Sequence, residues 1–94
     1  MKSFYASENI DTLKLIGVLN LSKLNCNYTN IKSLAPLSKL RNLQEIWCSG
    51  TQVASLSTIE SLQNLEVLIC FDTALSQKEL YRFSQVKSNC LMLY

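Results

Sequence analysis

Four cysteines are the residues of this 94-residue chain best suited to chemistry, as thiolate nucleophiles, soft-metal ligands or redox partners. Their spacing argues for something else. Cys26, Cys48 and Cys70 recur every 22 residues. Zinc sites take ligands in close pairs such as C-x₂-C, and this chain has no His to complete a mixed set. A long regular period instead puts the three thiols at one structural position, a buried ladder in which Cys acts as a small apolar residue. Cys90 falls outside the period and is the thiol with the best claim to reactivity. Thr29, Thr51 and Thr73 form a second ladder on the same period. A nucleophilic Thr needs a base beside it, and no His is present to serve. Their hydroxyls are expected to bond backbone groups where the chain leaves each strand. The chain has no Gly-rich phosphate loop and no G-x-S-x-G elbow. Glu45 and Glu66 could lie on adjacent strands, but an offset of 21 residues puts them on opposite faces. The sequence therefore predicts no catalytic residue, no metal ligand and no cofactor. A cysteine-based metal or redox protein is the weaker alternative.

The elements that carry these ladders follow from the same period. Residues 21–42 read LSKLNCNYTNIKSLAPLSKLRN, residues 43–64 LQEIWCSGTQVASLSTIESLQN and residues 65–86 LEVLICFDTALSQKELYRFSQV. They stack without a gap. Leu21, Leu43 and Leu65 share the first position; Leu24, Ile46 and Leu68 the fourth; Ile31, Val53 and Leu75 the eleventh. The first two copies continue together through Leu34/Leu56, Leu37/Ile59, Leu40/Leu62 and Asn42/Asn64. Alternation at the second, fourth and sixth positions predicts a short strand with one buried face. The three-residue steps that follow predict a helical or 3₁₀ return segment. One such coil cannot bury its own apolar edge, so the coils must stack.

The pattern L-x-x-L-x-C-x-x-T-x-I-x-x-L-x-x-L-x-x-L-x-N resembles the bacterial 22-residue leucine-rich repeat, the class found in internalins. It also resembles short leucine-rich-repeat proteins of Bacteroidetes-type bacteria. The resemblance implies an α/β fold, a right-handed leucine-rich-repeat solenoid with a short parallel sheet on its concave face. The departure is the ninth position, where Thr replaces the commoner Asn in every copy.

One leucine-rich-repeat domain over 1–94 is expected. Residues 1–20 would form a degenerate N-terminal coil or cap, with a strand at 2–6 and Thr12–Leu21 laid on Leu34–Leu43 through Leu15, Val18 and Leu21. The third repeat, 65–86, would merge into a helix-plus-strand cap ending at 94. Ser76-Gln77-Lys78-Glu79 reads as a capping box opening a helix over about 77–87, with Leu80, Phe83 and Val86 on its inner side. Cys90–Tyr94 reads as a last strand with Leu91 and Leu93 inward, which leaves Met92 and Tyr94 outward.

Alternation turns the third, fifth and seventh positions away from the core. The first coil presents Lys23, Asn25 and Asn27; the second Glu45, Trp47 and Ser49; the third Val67, Ile69 and Phe71. Trp47, Val67, Ile69, Phe71, Met92 and Tyr94 are thus the expected protein-binding residues on the concave face. Exposed apolar patches mark interfaces, and Trp and Tyr are enriched at their hot spots. Tyr28, Asn30, Lys32, Gln52 and Ala74 fall in the turns around this face. A net charge of +2 with no block of like charge excludes a dedicated nucleic-acid binder. No run of 18 apolar residues exists to span a membrane, and the N-terminus shows no secretory leader pattern. The expectation is a cytoplasmic, non-enzymatic protein-interaction module with an unidentified protein partner. A homo-oligomer is the alternative, since an aromatic face or an open sheet edge can pair with its own copy.

Overall fold

A computed structural model describes residues 21–94 and, as backbone, residues 2–5. Five strands, β1 (Lys2–Tyr5), β2 (Leu21–Asn25), β3 (Glu45–Trp47), β4 (Val67–Ile69) and β5 (Leu91–Leu93), form one parallel sheet in sequence order. The first strand lies within the span expected from the sequence. The proposed alignment of Leu15 and Val18 with the later repeats lies outside the described residues.

The 22-residue period is visible directly in the strand register. Glu45, Ile46 and Trp47 pair with Lys23, Leu24 and Asn25 on one side and with Val67, Leu68 and Ile69 on the other. Each strand is short because its apolar alternation lasts only from the second to the sixth position. Further main-chain bonds tie coil to coil beyond the strands, including Gln44 N to Ser22 O and Glu66 N to Gln44 O, both 2.8 Å.

The return segments of the first two coils are 3₁₀ turns, Ala35–Lys39 and Ser57–Ile59. Pro36 fits the start of the first, where its missing N–H has no partner to lose. The spacing of leucines explains the choice of helix. Leu37 N bonds Leu34 O, Leu40 N bonds Leu37 O, and Leu43 N bonds Leu40 O, at 2.9–3.0 Å. Side chains three apart eclipse in such a helix, so one apolar row faces the sheet. Leu56, Ile59, Leu62 and Leu65 repeat the same chain of bonds. All eight residues are buried in one core with Leu24, Ile46, Leu68 and the three ladder cysteines.

The third coil departs from this plan. At the positions of Leu34, Leu37 and Leu40 it carries Lys78, Tyr81 and Ser84, so a three-residue row would be polar. It forms an α-helix instead, α1 (Gln77–Val86), capped as expected by Ser76 Oγ accepting from Glu79 N at 3.0 Å. Phe83 enters the core and Leu80 packs at its margin. Val86 does not join them and is 53% exposed. Three-residue steps drift about 60° round an α-helix, which carries Val86 off the face centred on Phe83.

The capping box does more than open the helix. Glu79 Oε2 accepts from Leu56 N at 2.8 Å, and Arg82 donates to both Glu79 oxygens at 2.9 Å. Arg82 also pairs with Glu60, and Lys87 Nζ donates to Leu62 O at 2.8 Å. These contacts bolt α1 to the second coil. The Arg82 guanidinium holds the Glu79 carboxyl down at about 2.

The last strand corrects an expectation. β5 pairs Val67 with Leu91, Leu68 with Met92 and Ile69 with Leu93. Met92 therefore lies on the core side beside buried Leu68, and it packs against the core. Leu91 and Leu93 turn outward, 58% and 40% exposed. The expectation placed the two leucines inward on hydrophobicity alone; pairing with β4 fixes the opposite parity.

Candidate protein-binding face

The outward side of the sheet is organised in rows that run across the strands. One row is Lys23, Glu45, Val67 and Leu91; the next is Asn25, Trp47, Ile69 and Leu93. A third row, just past the strand ends, is Asn27, Ser49 and Phe71. Every row passes from polar in the first coil to apolar in the third.

Side chains set this gradient in place. The Trp47 indole N–H donates to the Glu45 carboxylate two residues earlier on the same strand, which holds the ring along its own strand. In the third row, Asn27 Oδ1 accepts from Ser49 N at 2.7 Å, and Ser49 Oγ accepts from Phe71 N at 2.8 Å. This polar relay extends the inter-strand bonding one residue past the sheet. It leaves Phe71 at the end of the row, 49% exposed, with its backbone fixed. Backbone bonds from Tyr28 N to Ser49 O and from Gly50 N to Phe71 O continue the relay into the turns.

The turns share a feature the sequence does not display. Tyr28, Gly50 and Asp72 hold the eighth position of the three coils, and all three adopt left-handed backbone, with φ of 58°, 68° and 53°. The Tyr28 ring lies over Gly50, where a Cβ would overlap its Cδ1 and Cε1 atoms. Glycine at Gly50 thus answers two demands, the positive φ and the aromatic neighbour. Tyr28 is 78% exposed and stands at the rim of the face.

Of the residues expected to bind, Trp47, Val67, Ile69 and Phe71 come together on the outward face. Trp47, Val67 and Ile69 are half-buried there. Met92 is on the other side of the sheet. Tyr94 has the parity of Met92, one residue beyond β5, and is exposed at the sheet's corner. Leu91 and Leu93 take the places assigned to Met92 and Tyr94. The signal for them was present in the spacing: Val67 to Leu91 is 91 − 67 = 24 residues, an even offset like the repeat's own 22, so parity carries over.

The ladders lie beneath this face. Cys26, Cys48 and Cys70 are all but inaccessible. Burial pushes the Cys26 thiol up to about 12, that of Cys70 to about 11 and that of Cys48 well above the usual value. Cys26 Sγ donates to Trp47 O at 3.2 Å. Thiols in this state are poor nucleophiles and poor ligands. Cys90, the candidate for reactivity, is half-buried, and its thiol is also raised by burial. Thr29 and Thr51 donate to the carbonyls of Cys26 and Cys48, three residues back, at 2.9 and 2.7 Å. Thr73 repeats the contact with Cys70 at 3.5 Å, where the third coil loosens. Among the described residues no three His, Cys, Asp or Glu side chains converge as a metal would require. None of the described helices is long and apolar enough to cross a membrane.

A parallel sheet built from 22-residue coils over a leucine ladder defines the class as the leucine-rich-repeat solenoid. Residues 19–62, just under half of the chain, match the family model described as "Leucine Rich repeats (2 copies)". A solved leucine-rich-repeat protein of Leptospira interrogans has the same fold, with a TM-score of 0.74 and 24% identity over 82% of this chain. This chain spans 20% of that one. Both matches are to the repeat family rather than to its internalin-type class. No curated protein matches the chain.

Proposed function

We propose that the chain is a non-enzymatic protein-binding module whose partner lies on the concave face of the solenoid, over Trp47, Val67, Ile69 and Phe71. Leu91 and Leu93 extend that surface at the sheet's last strand. The observation that carries the reading is the gradient across the rows: aromatic and aliphatic side chains are gathered on the third and fourth strands. They are held on a backbone with little freedom left to lose on binding. The partner this face suits is a protein surface with apolar side chains at its centre and polar groups where it meets Lys23, Asn25 and Asn27. The buried, free thiols suit a reducing compartment, so the proposed location is the cytoplasm.

The test is to copurify partners from the native cell with the parent chain and with Trp47→Ala/Phe71→Ser. Specific partners should fall away from the double variant while its circular-dichroism spectrum is unchanged. Equal recovery by both chains would place the interface elsewhere.

A further inference from the structure

The ends of the return segments carry a feature that the sheet face does not use. Ser38, Arg41, Ser61, Gln63 and Asn64 line a cleft of about 350 Å³ between the first coil and the second, where the chain turns back toward β3 and β4. Every one of the five side chains is polar, and none is a carboxylate. Arg41 is exposed and carries the single charge of the set. Among the described residues no Asp or Glu pairs with it. We propose that this cleft is a binding site for a small oxyanion of the phosphate-monoester class, with Arg41 as its anchoring cation.

The stacking of the coils places the cleft at this interval and closes the next one. Arg41 and Gln63 hold the same position of their coils, each one residue past a buried leucine, Leu40 and Leu62. The leucines pin the main chain, and the residues after them are exposed. Asn64 Nδ2 donates to Arg41 O at 3.0 Å and staples the two turns together. Between the second and third coils the chain supplies its own cation: Lys87 Nζ donates to Leu62 O at 2.8 Å. Among the described residues no Lys or Arg side chain bonds Leu40 O, the equivalent carbonyl. The first interval thus keeps a cation, Arg41, that points to solvent with no partner of its own among the described residues.

The donors suit a phosphate group better than a carboxylate. Arg41 offers a planar fork that spans two oxygens. A carboxylate then has no third oxygen for the turn opposite, and a phosphate monoester has one. On that turn stand the Ser61 hydroxyl, the Gln63 amide and the second N–H of the Asn64 amide. Ser38 Oγ donates to Ala35 O at 2.8 Å, so toward a ligand it offers an acceptor, fit for a hydroxyl. The volume exceeds what one phosphate group fills and falls at the small end of ligand sites. With no apolar or aromatic wall, the rest of the ligand is polar, a short hydroxylated carbon skeleton rather than a nucleotide base. The site uses none of Trp47, Val67, Ile69 and Phe71. It can hold while the proposed protein-binding surface fails, and the reverse.

Amide NMR of the full chain, titrated with methyl phosphate at constant ionic strength, reads the site directly. Saturable shifts should centre on Arg41, Ser61, Gln63 and Asn64, with a dissociation constant on the order of 1 mM for so exposed a cation. Arg41→Gln should weaken binding about tenfold, and Arg41→Lys, which keeps the charge and loses the fork, about threefold. Lys39→Gln removes a neighbouring charge outside the cleft and should change binding less than about twofold. Acetate should bind at least about fivefold more weakly than methyl phosphate. Trp47→Ala/Phe71→Ser should bind as the parent does. Arg41 is exposed, so its variants should keep the parent's circular-dichroism spectrum. Shifts that stay linear to about 20 mM, shifts centred elsewhere, full binding by Arg41→Gln, an equal loss from Lys39→Gln, or acetate binding as tightly as methyl phosphate would each overturn the proposal.

Discussion

The first two coils and the third solve the same packing problem by different means. In the former, leucines every three residues select 3₁₀ turns, and the outward positions are polar apart from Trp47. In the latter, that leucine row is lost at Lys78, Tyr81 and Ser84, an α-helix with one deep anchor at Phe83 replaces it, and the outward positions are apolar. The coil that relaxes the repeat is also the coil whose outward surface is apolar. A repeat that serves only to stack can remain regular, and this one departs from the pattern on both its packing side and its outward side.

Removing the anchor breaks that comparison most severely. Phe83 is the one large side chain through which α1 enters the core, so Phe83→Ala should cost about 3–5 kcal/mol by urea denaturation. Ser84→Ala, on the same helix but partly exposed, should cost less than about 1 kcal/mol. Equal losses would mean that helix propensity, and not the anchor, holds the cap.

The turns offer a smaller effect of opposite signs. Gly50→Ala adds a Cβ at positive φ against the Tyr28 ring and should destabilise by about 1–3 kcal/mol. Asp72→Gly relieves the same backbone conformation at the third coil, where the preceding coil has Gly50 rather than a ring at the same position, and should stabilise by about 0.5 kcal/mol. Matching effects at the two positions would show that φ alone governs them and that the Tyr28 contact adds nothing.

The smallest and most specific effect is on pH. Glu79 titrates near 2 in the folded chain because Arg82 bonds its carboxylate, below its ordinary value of 4.5. A depressed carboxyl gives stability that is fully present above the unfolded value and lost as pH falls through the folded one. Stability should therefore decline between about pH 4.5 and 2, and Glu79→Gln should flatten that part of the profile. An unchanged slope would place the acid-sensitive group elsewhere.

Much of this was legible in the residues. The leucine spacing named the return segments, the cysteine spacing named the core ladder, and Ser76 with Glu79 marked the helix start, because each of these is a local demand repeated in sequence. The faces of the last strand were legible only through parity: hydrophobicity favoured two leucines inward, and the even spacing from Val67 put them outward. The shared left-handed turn at Tyr28, Gly50 and Asp72 was hidden by three unlike residues in one backbone state. The relay from Asn27 through Ser49 to Phe71 was hidden for the opposite reason, since ordinary polar residues acquire a role only when the coils are stacked, and the stacking buries Ser49, which the alternation had placed outward.

The contrast between the coils reduces to one measurement. Partners copurified from the native cell are quantified against the parent chain for two variants, one in the first coil, Lys23→Ala/Asn25→Ala, and one spanning the second and third, Trp47→Ala/Phe71→Ser. Binding carried by the apolar end of the sheet predicts near-complete loss for the second variant and at most a modest loss for the first. Loss confined to the first variant, with both folds intact, would contradict it.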